Sequence, residues 1–195
     1  EWNWWNPAGK ELVIEWRCTS YVIDWNQDGL PDLVTLDHEG YLVLFERQKA
    51  ADGKLVLRPG QRVFWAEDVS AYNSAGRPLG KHESGLLHLN ASLAGASGRR
   101  TLCFDDWDGD GILDLFVNSQ PNINFFHGLG RDAQGRWRFK DLGPVHSLVL
   151  AGHSTAPTIV HWPGRARGDL LFGTEDGFLY FVPHPKNAPL SLAVP

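Results

Sequence analysis

Apolar residues along this chain come in short runs, and nearly every run is closed by Gly, Asn or Asp: ELVIEW, DLVTL, YLVLF, DLFV, INFF, DLLF and FLYFV are examples. Runs of roughly four to seven residues, rich in Val, Ile, Leu, Phe and Tyr and bounded by turn formers, predict β-strands. No stretch keeps a helical apolar period over several turns, so helices are not expected.

The runs repeat in register. YVIDWNQDGLPDLVTLDHEGYLVLF (21–45), FDDWDGDGILDLFVNSQPNINFF (104–126) and TIVHWPGRARGDLLFGTEDGFLYFV (158–182) align without gaps on their Asp-Leu pairs. Trp25, Trp107 and Trp162 then share one column, and Asp32, Asp114 and Asp169 another. A fixed repeat of this kind sets the fold before any single residue does. Each unit reads as strand, acidic loop, strand, turn, aromatic strand, and a fourth strand is expected near 56–66 and 135–143. Four short antiparallel strands per repeat describe a β-propeller blade.

The expected organisation is therefore all-β, a single propeller-type domain over 1–195. It comprises an N-terminal strand (10–17), blades over 18–66, 101–143 and 144–185, an insertion loop (67–100) and a tail (186–195). Propellers close with about four to eight blades. Three visible units imply either part of a larger propeller or a ring completed by a second copy, because an open arc would leave strand edges bare. The chain has no Met, and reads as a processed protein or a piece of a longer one.

Two of the loops carry oxygen ligands at calcium spacing. Asp24, Asn26 and Asp28 stand at positions 1, 3 and 5 of the first, with Gly29 at 6, the Leu30 carbonyl at 7 and Asp32 at 9. Asp106, Asp108, Asp110, Gly111, Ile112 and Asp114 repeat the pattern in the second. Ca²⁺ takes six to eight oxygens, and alternate carboxylates followed by a Gly turn wrap it. An EF-hand would close with Glu at position 12, where Thr35 and Val117 stand. Closure by Asp at position 9 between strands resembles the FG-GAP and VCBS propeller repeats over most of the chain. That resemblance implies two bound Ca²⁺ and extracytoplasmic deployment: secreted, periplasmic or at the cell surface. The third loop has His161, Pro163 and Arg165 at positions 1, 3 and 5. It is expected to keep the strands and lose the ion, with Arg165 pairing to Asp169.

Charge agrees with local metal binding. The net charge is −5, and the two acidic loops hold seven of the 23 acidic residues. No basic stripe offers itself to nucleic acid, and no apolar run is long enough to enter a membrane. Cys18 and Cys103 are too few for a disulfide framework; a single pairing is open to them, and two buried free thiols are the preferred reading.

Nine Trp invite a carbohydrate reading. The three at the repeat position are assigned to packing and Trp65 and Trp137 to outer strands, which leaves Trp2, Trp4, Trp5 and Trp16 as a sugar platform, an interface with missing blades, or a buried plug. The insertion carries Tyr72, Arg77, Lys81, His82 and His88, and the next connection holds His153. Both connections fall on the face opposite the acidic loops, where propeller ligands generally bind. The functional expectation is a calcium-stabilised recognition module for carbohydrate. The alternatives are a polysaccharide lyase using the histidines and basic groups of the insertion, an accessory domain of a glycoside hydrolase, and a protein-interaction scaffold. Asn90-Ala91-Ser92 is a formal glycosylation sequon.

Overall fold

The computed structural model describes residues 14–15, 17–66, 85–90, 100–118, 122–147, 149 and 156–187. Among them there are strands and no helix. Strands β1 (Tyr21–Ile23), β2 (Asp32–Leu36) and β3 (Leu42–Phe45) form one antiparallel sheet. A hairpin of β4 (Arg47–Lys49) and β5 (Leu55–Leu57) follows, and then β6 (Phe64–Ala66). The second unit supplies β7 (Leu102–Asp105), β8 (Asp114–Asn118), β9 (Ile123–Arg131) and β10 (Trp137–Pro144), and the third β11 (Thr158–Val160), β12 (Asp169–Gly173) and β13 (Leu179–Val182). All three units share an antiparallel core with matching register: Leu33 faces Phe45, Leu115 faces Phe126 and Leu170 faces Val182. The sheets are separate, and none closes on itself among the described residues.

The fourth strand departs from expectation. In the first unit Leu55–Leu57 turns back onto β4, only Gln61 bridges β3 at Leu44, and β6 leaves to pair in parallel with β10, Phe64 opposite Trp137 and Ala66 opposite Phe139. The second sheet thus runs β6-β10-β9-β8-β7, while the first and third have three strands each. Packing explains the exchange. Phe64 is wholly buried, its ring edge-on to Trp25 at 5.0 Å and 6.2 Å from Phe139. An outer strand of its own sheet would carry that ring away from the seam between the two units.

Two apolar clusters hold the units together. Trp25, Leu36, Phe64, Phe104, Leu115, Val117 and Phe139 join the first unit to the second. Cys103, Phe116, Ile123, Leu170 and Phe172 join the second to the third. Successive side chains of a strand point to opposite faces, so β8 serves both clusters, Leu115 and Val117 on one side and Phe116 on the other.

The described part of the insertion is not a surface loop. Residues 85–90 run through the interior, with Leu86, Leu87, His88, Leu89 and Asn90 all buried. The Leu42 N–H donates to the Leu87 carbonyl, Leu87 N–H to Phe64 and Leu89 N–H to Gly40, each at 3.0 Å. Gly40 has φ 88°, and a Cβ there would stand 1.6 Å from the Asn90 carbonyl oxygen, so this approach demands glycine. Asn90 is fully buried, which removes it as a glycosylation acceptor in the folded chain. Both cysteines are free, and burial pushes both thiols up.

Of the expected N-terminal strand, Ile14, Glu15 and Arg17 are described. Ile14 bridges Asp37, and Glu15 N–H donates to the Leu36 carbonyl, so this segment lies alongside the end of β2. The Glu15 side chain is buried and accepts from the Asn90 amide. Burial raises its pKa to about 8, opposed by the Asn90 hydrogen bond and the Arg100 charge and reinforced by Asp37. Folding therefore favours the protonated acid. Its contribution is complete below the ordinary glutamate pKa of about 4.3, and is lost as pH rises through about 8. Thermal melting across that window should show the wild-type protein losing stability, and Glu15→Gln should flatten the slope and melt higher than wild type above pH 8.

Candidate functional site

Both acidic loops are built from the same ladder of side-chain to backbone hydrogen bonds. In the first, Asp24 accepts from Gly29 N–H at 2.8 Å, Asn26 from Asp28 N–H at 3.0 Å, and Asp28 from Leu30 N–H at 2.8 Å. In the second, Asp106 accepts from Gly111 at 3.1 Å, Asp108 from Asp110 at 3.1 Å, and Asp110 from Ile112 at 2.8 Å. Asp and Asn favour such turns because the short side chain reaches its own backbone two residues on. Gly29 and Gly111 take φ 86° and 88°, the left-handed turn expected at position 6. Position 4 is left-handed too, at Gln27 (61°), Gly109 (78°) and Gly164 (80°) of the third loop. The sequence reading missed this, although two glycines in one column were a visible signal.

The aspartate at position 9 ties each loop to its sheet. Asp32 accepts from Trp25 N–H at 3.1 Å and from Arg47 N–H at 2.7 Å. Asp114 accepts from Trp107 at 3.1 Å and from Gly128 at 2.8 Å. Asp169 accepts from His184 N–H at 2.8 Å. All three carboxylates are buried.

Charge is densest in the second loop. Asp106, Asp108 and Asp110 each place an oxygen within 4.8 Å of the others. Each such pair repels by roughly 1 kcal/mol even at the dielectric of water. Asp106 Oδ1 is buried with no hydrogen-bond partner. An orphaned carboxylate oxygen in a crowded acidic loop fits a hard cation with oxygen ligands. His127 Nδ1 adds to this cluster, 3.0 Å from Asp114 and 3.5 Å from Asp108. Sequence reasoning missed His127, because it stands in the middle of β9, far along the chain from the loop. Burial pushes the Asp114 carboxyl up, with Asp108 adding to the effect against the Gly128 N–H and His127.

The third loop solves the same problem with a cation of its own. Arg165 Nε lies 2.5 Å from Asp169 Oδ2, and its Nη2 donates to Oδ1 at 3.1 Å. Burial alone would raise Asp169; the His184 N–H, Asn187 and Arg165 outweigh it and hold the carboxyl below its usual range. His161, where the other loops have aspartate, turns to the neighbouring unit and sits 2.9 Å from Asp105.

Among the residues nominated for ligand binding, Trp2, Trp4, Trp5, Trp16, Tyr72, Arg77, His82 and His153 lie outside the described residues. His88 is described and is a core residue. It is 6% exposed, its ring is stacked on Tyr41 at 4.0 Å, and its Nε2 lies 2.8 Å from the Glu39 carbonyl. The structure therefore withdraws it from the proposed ligand face. Of the repeat tryptophans, Trp25 is buried, Trp107 packs on Phe116 and His184, and Trp162 is 44% exposed, so the packing role assigned to the whole column does not extend to the third unit. Comparison with protein-family models, curated proteins and solved structures finds no match.

The third loop yields a direct test. Arg165→Ala leaves a buried carboxylate without its cation and should cost about 3–5 kcal/mol in urea unfolding. Because folding lowers the Asp169 pKa, its contribution is present above the ordinary aspartate value of about 3.9 and is lost as pH falls below it. The gap between wild type and Arg165→Ala should accordingly narrow in acid.

Proposed function

We propose that the chain is a calcium-stabilised module of the FG-GAP/VCBS propeller type, acting in extracytoplasmic recognition with carbohydrate as its ligand. The observation that carries the calcium part is Arg165. Where a loop lacks acidic ligands, the protein sets its own guanidinium against the position-9 carboxylate. Where the acids are present, no arginine side chain pairs with Asp32 or Asp114 among the described residues, and one Asp106 oxygen is buried without a hydrogen-bond partner. Asp24, Asn26, Asp28 and Asp32 with the Leu30 carbonyl would hold one ion. Asp106, Asp108, Asp110 and Asp114 with the Ile112 carbonyl would hold the other. The ion neutralises the carboxylates so that the loop can keep its turn. Extracellular calcium modules work at about 10⁻⁴–10⁻³ M, which favours deployment outside the cytoplasm.

The recognition part is supported by the scaffold itself, a set of rigid strands whose loops carry accessible aromatics, Trp162 at 44% and Phe178 at 68% exposure. Indole faces suit sugar rings. The sheets, none of them closed among the described residues, favour further blades, from a longer chain or a second copy, which sizing in solution distinguishes.

Calorimetric titration of the metal-stripped protein should give two Ca²⁺ per chain, and Asp106→Asn should remove one. Calcium well above its Kd should raise Tm by several degrees, in keeping with roughly 2.7 kcal/mol at a hundredfold excess. An unchanged Tm overturns the calcium reading. On a glycan array with calcium present, binding to a defined polysaccharide is expected; failure on every glycan, together with a tight protein partner, overturns the carbohydrate reading.

A further inference from the structure

Between the first two units, on the side of the acidic loops, lies a cavity of ≈ 90 Å³. Its walls include Trp25, Gln27, Gly111, Ile112, Trp137 and Arg138. Gln27 and Gly111 come from the two acidic loops and are exposed, so the rim is at the surface; Trp25, 5% exposed, forms part of the interior wall. Trp25 and Trp137 meet edge to face at 5.3 Å.

Two donors in these walls are unmatched. Trp25 Nε1 and Arg138 Nε are both buried with no hydrogen-bond partner. Arg138 reaches the Asp132 carboxylate only through Nη1, at 3.8 Å. A buried donor left unmade costs about 1–3 kcal/mol, and more when charged. Two of them on side chains lining one cavity call for an acceptor inside it.

We propose that this cavity binds a carboxylate group. Carboxylates are acceptors only, and one of the two donors belongs to a guanidinium, whose hydrogen bonds to carboxylates are among the strong ones. A cavity of this size that opens at the surface admits a carboxylate on a short stem. The source is either a free short-chain acid or the carboxylate arm of a uronic acid. The second source deepens the recognition reading and rests on it. Cations in the two flanking loops would offset their negative charge, so affinity should rise with calcium.

The test follows the two N–H groups by ¹H–¹⁵N NMR on the full chain with calcium, the Trp25 indole being assigned with Trp25→Phe. Sodium acetate and sodium glucuronate are titrated against sodium chloride of equal ionic strength. Saturable downfield shifts of the Trp25 and Arg138 N–H signals are expected with one or both acids. Arg138→Met should weaken binding roughly ten- to hundredfold with calcium binding unchanged, and Arg138→Lys, which keeps the charge but lacks Nε, should weaken it as well. No movement beyond the chloride control with either acid means the cavity holds only water and overturns the proposal. Saturation by acetate but not glucuronate upholds the carboxylate site and overturns a sugar at it. A uronate-containing glycan that binds without moving the Trp25 signal overturns a sugar at this site and leaves the recognition reading standing.

Discussion

Everything in this structure hangs on a buried carboxylate that accepts backbone N–H groups from two directions. Asp32 and Asp114 each receive one N–H from the beginning of their loop and another from further along the chain, from Arg47 at the start of β4 and from Gly128 within β9. Such a bond to a charged acceptor is worth about 1.5–3 kcal/mol. It fixes loop, second strand and third strand relative to one another. The price is a buried negative charge, and the three units differ mainly in how they answer it. Arg165 answers it internally in the third unit, while in the second His127 Nδ1 lies 3.0 Å from the Asp114 carboxylate.

This explains why position 9 is aspartate in all three units while positions 1, 3 and 5 vary. The position-9 aspartate completes the hydrogen bonding of the backbone whatever stands in the loop. The loop acids hold the backbone of their own turn, and in the third unit an arginine stands at position 5 and pairs with the position-9 carboxylate instead. His161 is then released from the loop and becomes a bond between neighbouring units through Asp105.

Much of this was legible in the sequence. The strand cores, their register and the two acidic loops follow from alternation and spacing, which are local. The pairing of Arg165 with Asp169 was legible because a four-residue separation across one turn is also local. The seat of β6 was not. FWA carries no sign of which sheet edge it will join, since that is decided by the fit of Phe64 against Trp25 and Phe139, residues distant in the chain. The Gly- and Ser-rich surroundings of 85–90 hid the buried LLHLN, and His88 looked like a ligand group because polarity was read without burial. His127 escaped for the same reason as β6: its partners are set by sheet register, not by spacing.

The parallel pairing of β6 with β10 bears on how the chain reaches this state. Repeat proteins whose units contact only their neighbours through side chains tend to fold and unfold piecemeal. Here a strand made before residue 67 completes a sheet whose remaining strands begin at residue 102. That sheet cannot finish until the long segment between them has been closed, an entropic cost met early and repaid late. The first two units are thereby bound into one cooperative block that a protease cut between them would not separate into two self-sufficient halves. The third unit, which lends no strand to its neighbours among the described residues, is the part free to open alone.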